Sequence, residues 1–165
     1  MIMKIKFYFL LLAVTCTLAL QSCDDDDNLK TVPVELQNAF ANKYPGVQKV
    51  DWEQEGGYYV ADFMDGSFEA SAWFDKTAKW VLTETDLIYQ SLPNAVKATF
   101  ENSEYNTPTW KLDDIDRLDR PEQETIYVIE VESKTQDLDL LYRSDGVLIK
   151  SVVDENDRHY PNNIS

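Results

Sequence analysis

Two stretches of the chain share one pattern of apolar and polar positions. Within residues 58–81, Tyr59, Ala61 and Phe63 alternate with Tyr58, Val60 and Asp62. After an Asp65-Gly66 turn, Phe68, Ala70, Ala72 and Phe74 alternate with Ser67, Glu69, Ser71 and Trp73. A period of two predicts extended strands whose successive side chains face opposite sides. Residues 126–149 repeat the pattern at an offset of 68, with Tyr127, Ile129 and Val131 in the first strand and Leu138, Leu140 and Tyr142 in the second. A helix is predicted ahead of each set. Pro33 suits a first helical turn, Leu36, Ala39, Phe40 and Tyr44 make an apolar stripe, and Pro45-Gly46 ends it. Leu92-Pro93, Val96, Thr99 and Phe100 do the same at an offset of 60. Val50 and Trp52, matched by Trp110 and Leu112, predict a first strand, and residues 80–83, matched by 148–151, a fourth. Gly56-Gly57 closes the first hairpin, whereas residues 117–124, with Pro121, form the longer loop that changes the offset from 60 to 68.

The expected fold is α+β: two tandem units, each a helix followed by a four-stranded antiparallel sheet, with the helices on one face. The units fall at residues 32–87 and 88–156, before a polar tail at 157–165. Either alone would be a marginal domain. One face of each sheet carries Phe, Tyr, Leu and Ile and belongs under the helix. The other mixes acids with a few aromatics and is expected to be open to solvent or a partner. Parity puts Tyr58, Val60, Asp62, Glu69 and Trp73 on this second face, where a Trp beside a Tyr suits protein contact. Trp80 joins them as a candidate, although its strand can be phased either way.

The start of the chain is different in kind. Lys4 and Lys6 precede an apolar run at residues 7–20, the pattern of an export signal and, at 14 residues, short for a membrane span. Leu20-Gln21-Ser22-Cys23 resembles the lipobox of bacterial lipoproteins. That resemblance implies removal of residues 1–22 and acylation of Cys23, with residues 23–31, rich in aspartate, as a solvated tether. Several acyl chains make a durable anchor where one would be marginal. The expected location is the outer membrane, held by lipid and facing the periplasm or the cell surface. Acids directly after a lipidated cysteine also resemble a surface-export signal of some Gram-negative lipoproteins.

Charge and cysteines then narrow the chemistry. Loss of residues 1–22 removes two lysines and takes the formal charge from −15 to −17, which repels phosphate backbones and argues against nucleic acid as a partner. Cys16 leaves with the signal and Cys23 is modified, so disulfides, Cys-ligated zinc and a Cys nucleophile are excluded from the folded part. The only histidine, His159, lies in the polar tail, and no Gly-x-Ser-x-Gly elbow accompanies it. Asp113, Asp114 and Asp116 are dense enough to be weak candidates for calcium, but the EF-hand pattern is absent. No cofactor and no enzymatic activity are expected.

The residues at 32–154 also carry a family resemblance. Val32-Pro33, Phe40, Tyr44-Pro45-Gly46, residues 50–53 (Val-Asp-Trp-Glu), residues 58–61 (Tyr-Tyr-Val-Ala), Phe74-Asp75, Trp80, Glu84 and Leu92-Pro93 make a pattern similar to PepSY-like proteins that resemble the beta-lactamase-inhibitor protein. The resemblance implies exported, non-enzymatic tandem units whose sheets form a concave face, and a protein or peptide as partner, with inhibition of an envelope or secreted enzyme. The inhibitor's disulfides have no counterpart here, and none of its inhibitory loops maps onto this chain residue by residue. A calcium-responsive or glycan-binding surface lipoprotein is the alternative, resting on the acidity and on exposed aromatics.

Overall fold

The structure, a computed structural model, describes residues 31–153; the export signal, Cys23, the tether, His159 and the polar tail lie outside them. Helix α1 (Val34–Lys43) leads into strands β1 (Val50–Glu55), β2 (Tyr58–Asp65), β3 (Phe68–Phe74) and β4 (Trp80–Asp86). A short 3-10 turn at Tyr89–Ser91 precedes α2 (Asn94–Glu101), and β5 (Lys111–Asp119), β6 (Ile126–Glu132), β7 (Asp137–Arg143) and β8 (Leu148–Val153) complete the chain. Pro33 and Pro93 stand at the helix N-caps, where a missing N–H costs nothing. Each helix buries an i, i+4 pair, Leu36 with Phe40 and Val96 with Phe100.

The expectation of two tandem units, each a helix followed by its own four-stranded antiparallel sheet, is overturned. All eight strands form a single antiparallel sheet in the order β1 to β8, so the molecule is mostly sheet, with only two α-helices among the described residues. The seam is the pairing of β4 with β5, where Thr83, Glu84, Thr85 and Asp86 face Asp119, Leu118, Arg117 and Asp116. The physical reason lies in the backbone. Two separate sheets would leave β4 and β5 as extra edges with unpaired N–H and C=O groups, and joining them satisfies both. The Leu87 amide donates to the Ile115 carbonyl at 2.7 Å, one residue past the β4 end of the ladder. Arg117 ties the seam further, donating to Thr85 Oγ1 at 3.2 Å and to Asp119 Oδ2 at 2.9 Å.

Both helices pack on one face of this sheet. Leu36 and Phe40 cover Trp52, Ala61, Phe63, Ala72 and Phe74, while Val96 and Phe100 cover Ile115, Ile129, Leu140 and Tyr142. A third cluster occupies the opposite face: Val60, Trp73, Leu82, Leu118, Ile126 and Val128, drawn from five adjacent strands with no helical member. The middle strands are therefore buried on both sides, with Val60 beside Ala61 in β2 and Val128 beside Ile129 in β6. The helix-distal face is thus not the open surface that alternation alone implies. Its signal was present as adjacent apolar residues, Trp73-Phe74, Val128-Ile129 and Leu140-Leu141, which mark strands covered on both faces.

Candidate functional site

Strand register assembles the helix-distal face. Val60 stands directly opposite Trp73, Asp62 opposite Ser71, and Glu55 opposite Tyr58, while Trp73 in turn faces Leu82. Tyr58, Val60, Asp62, Glu69 and Trp73 therefore share one face. They differ in depth. Val60 and Trp73 are buried at 1% and 4% exposure, Tyr58 and Asp62 are half-buried, and Glu69 is exposed. Trp73 is not an exposed contact residue but the floor of the face, with Tyr58 packed edge-on against it at 6.3 Å between ring centroids. Its indole Nε1 is buried and has no hydrogen-bond partner among the described residues.

Acids surround this floor. Asp62 accepts from Ser71 Oγ at 2.6 Å; burial raises its carboxyl pKa, the Ser71 bond opposes that, and the charges of Asp51 and Glu55 raise it further. Asp86 is likewise pushed up, first by burial and then by Asp114 and Glu69. Asp116 and Asp139 lie deeper, at 2% and 8% exposure. The face is thus an apolar centre bordered by carboxylates, of which Asp62 and Asp86 are held above the ordinary carboxylate range, first by burial and then by neighbouring negative charge.

Trp80 belongs elsewhere. It packs on the helix side with the α1 cluster, donating Nε1 to Thr83 Oγ1 at 2.8 Å, while the Lys43 ammonium lies 3.2 Å from its ring centroid. Thr83 also hydrogen-bonds the Tyr44 hydroxyl. The cause is a register shift between Trp73 and Phe74 that leaves Phe74 opposite Trp80 and resets the phase of β4. The three aspartates considered for calcium do not converge. Asp113 pairs with Lys111 at 3.3 Å, Asp114 Oδ1 accepts from the Ile115 amide at 2.8 Å, and Asp116 is buried in the seam. Among the described residues no group of three or more His, Cys, Asp or Glu is placed to hold a metal ion.

One feature without a motif in the sequence is a cleft of about 390 Å³ between α1, the turn after it and β1, lined by Val32, Gln37, Phe40, Tyr44, Val47 and Trp52 among others. It lies on the helix side of the sheet's first edge.

A single antiparallel meander, backed by helices on one side and acidic on the other, defines a scaffold that presents a surface. Residues 57–150 match the family model for beta-lactamase-inhibitor-like, PepSY-like proteins, and the chain belongs to that family. Solved structures agree. A BLIP-like protein from Bacteroides fragilis is 36% identical with a TM-score of 0.75, over 84% of this chain and 99% of that one. A DUF2874 family protein from Bacteroides ovatus is 32% identical, TM-score 0.69, over 76% and 89%. A candidate periplasmic protein from Bacteroides eggerthii is 26% identical, TM-score 0.70, over 78% and 94%. None of the curated proteins matches the chain by sequence.

Proposed function

We propose that this protein is a non-enzymatic extracytoplasmic binding module. In this reading it is held to the outer membrane through acylated Cys23, receives a protein or peptide on the helix-distal face of its sheet, and inhibits an envelope or secreted enzyme. The observation that carries the reading is the face itself. Both helices lie on the other side, and on this face Tyr58, Asp62, Glu69 and Asp86 border the buried cluster of Trp73, Leu82 and Leu118. Tyr58 supplies a rigid aromatic edge, and the carboxylates supply charge-based selection. Membership of the PepSY-like family and the likeness to a BLIP-like protein support a protein partner. A candidate periplasmic relative supports an extracytoplasmic location, and no helix of the described residues is long and apolar enough to cross a membrane.

The test uses the rim, because truncating Trp73 would open a cavity in a buried cluster. Envelope extract passed over immobilised wild-type protein and over a Tyr58→Ala, Glu69→Lys variant should yield a partner only with the former. Equal recovery from both removes the face from consideration. The anchor is tested separately: Cys23→Ser should move the protein from the membrane fraction to the soluble fraction, and an unchanged distribution would rule out acylation as its tether.

A further inference from the structure

The chain enters its described fold through the wall of the α1 cleft. Val32 is part of the lining, and Gln37 Nε2 donates to its carbonyl at 2.9 Å, which ties the entering residue to the helix that forms one side. None of the lining residues carries a charge, in a chain whose formal charge is −15. Phe40, Tyr44 and Trp52 contribute aromatic surface, and Val47 and Val50 add aliphatic surface. The volume, about 390 Å³, lies in the lower part of the range of about 300–1,000 Å³ for sites that hold small ligands. The apolar surface continues along the helix. Val34, 59% exposed, shares a stripe with Gln37 and Ala41 at i, i+3 and i+7, and both of those line the cleft.

We infer that this cleft receives the chain's own residues 28–31, with the Leu29 side chain seated against Phe40, Tyr44 and Trp52. Leu29 is the only apolar residue of 24–31, set between four aspartates and the start of the fold. It stands three residues before Val32, a span of about 10 Å when extended, and the cleft begins at Val32 itself. Energetics favour an occupant in the same chain. Burying one leucine side chain moves an equilibrium by roughly ten- to a hundredfold. A separate molecule must offset its lost translational and rotational freedom from that gain, whereas a group joined through Lys30 and Thr31 has already lost most of it. The contact is a device for placing the domain. With Leu29 seated, only residues 24–28 lie between Cys23 and the cleft, so the end of the molecule bearing α1 and β1 is held next to residue 23. The inference needs neither acylation of Cys23 nor a partner on the helix-distal face, and it stands or falls apart from both.

The experiment is nuclear magnetic resonance on the mature chain, residues 23–165 with Cys23→Ser, carrying methyl-labelled leucine. The Leu29 methyl signals, assigned by their loss in Leu29→Ala, should show Overhauser contacts with ring protons of Phe40 and Trp52. Those ring signals should shift in Leu29→Ala while the Trp110 signals stay in place. Trypsin gives a second reading, because cleavage after Lys30 should be roughly tenfold faster in Leu29→Ala than in the parent. The substitution removes no residue of the helices or sheet, so neither result can come from misfolding. Leu29 methyls without contacts to the cleft rings would overturn the inference, and so would equal cleavage rates. Contacts that appear only between differently labelled copies would assign the cleft to a second molecule of this chain. A small molecule retained on purification, seen by native mass spectrometry and in contact with the Trp52 ring, would assign it to a ligand. Either outcome overturns the inference.

Discussion

Tyr142 is fully enclosed under α2, and its hydroxyl has no hydrogen-bond partner among the described residues. A buried unsatisfied hydroxyl costs stability, so Tyr142→Phe should raise the unfolding free energy by about 1 kcal/mol in urea denaturation. The same residue sets a limit at alkaline pH. Burial pushes the phenols of Tyr142 and Tyr44 up to about 12 from an ordinary 10, in Tyr44 against the opposing Thr83 hydrogen bond. Below pH 10 both are protonated whether folded or unfolded, and they make no pH-dependent contribution. Between about 10 and 12 the unfolded chain releases protons that the folded chain retains, so stability falls as pH rises. Denaturation midpoints measured across that interval should decline in the wild type and decline less in Tyr142→Phe. Single positions also show how far alternation can be read. The shared face of Tyr58, Val60, Asp62 and Trp73 follows from parity within β2 and β3, whose ladder is unbroken. Trp80 could not be placed that way. The Asp75–Lys79 turn, with Ala78 at a φ of 61°, and the adjoining bulge shift the phase, and no residue pattern announces such a shift.

The hairpins and helices show a second kind of dependence. The turn between β7 and β8 lies against α2: a Cβ on Gly146 would sit 2.5 Å from the Ala95 carbonyl oxygen, and the backbone there has a φ of +86°. Gly146→Ala meets both the steric and the conformational penalty and should cost about 2–3 kcal/mol. Gly66, with a similar backbone but open space around it, makes the control, since Gly66→Ala carries only the conformational part. Thermal melts of the two variants should differ in that order; equal losses would mean the contact with α2 contributes nothing. Helix positions were readable because Pro33 and Pro93 and the i, i+4 apolar pairs are local signals. The cleft beside β1 was not, because its walls come from α1, the following turn and a strand that meet only in three dimensions.

The molecule as a whole is governed by the β4–β5 seam. Repetition along the chain suggested two sheets, and it is silent on whether strands from different copies pair, because edge hydrogen bonds belong to the backbone and leave no mark on residue type. Joining them puts Leu82 and Leu118 from the two halves into one cluster at 0% exposure. The halves should then lose stability together. Chemical denaturation of the intact protein should give one transition, coincident by Trp fluorescence and far-ultraviolet circular dichroism, and residues 31–87 expressed alone should show no cooperative transition. Two separable transitions would contradict the shared cluster. Leu118→Ala, at about 2–5 kcal/mol, should shift the single transition rather than split it.

Strand order identical to chain order has a kinetic consequence. Every ladder but the seam joins strands consecutive through a short turn, so most contacts close small loops, which favours fast folding for a β-rich protein. A polypeptide emerging one end first from a ribosome or a channel can lay each new strand against the one just formed.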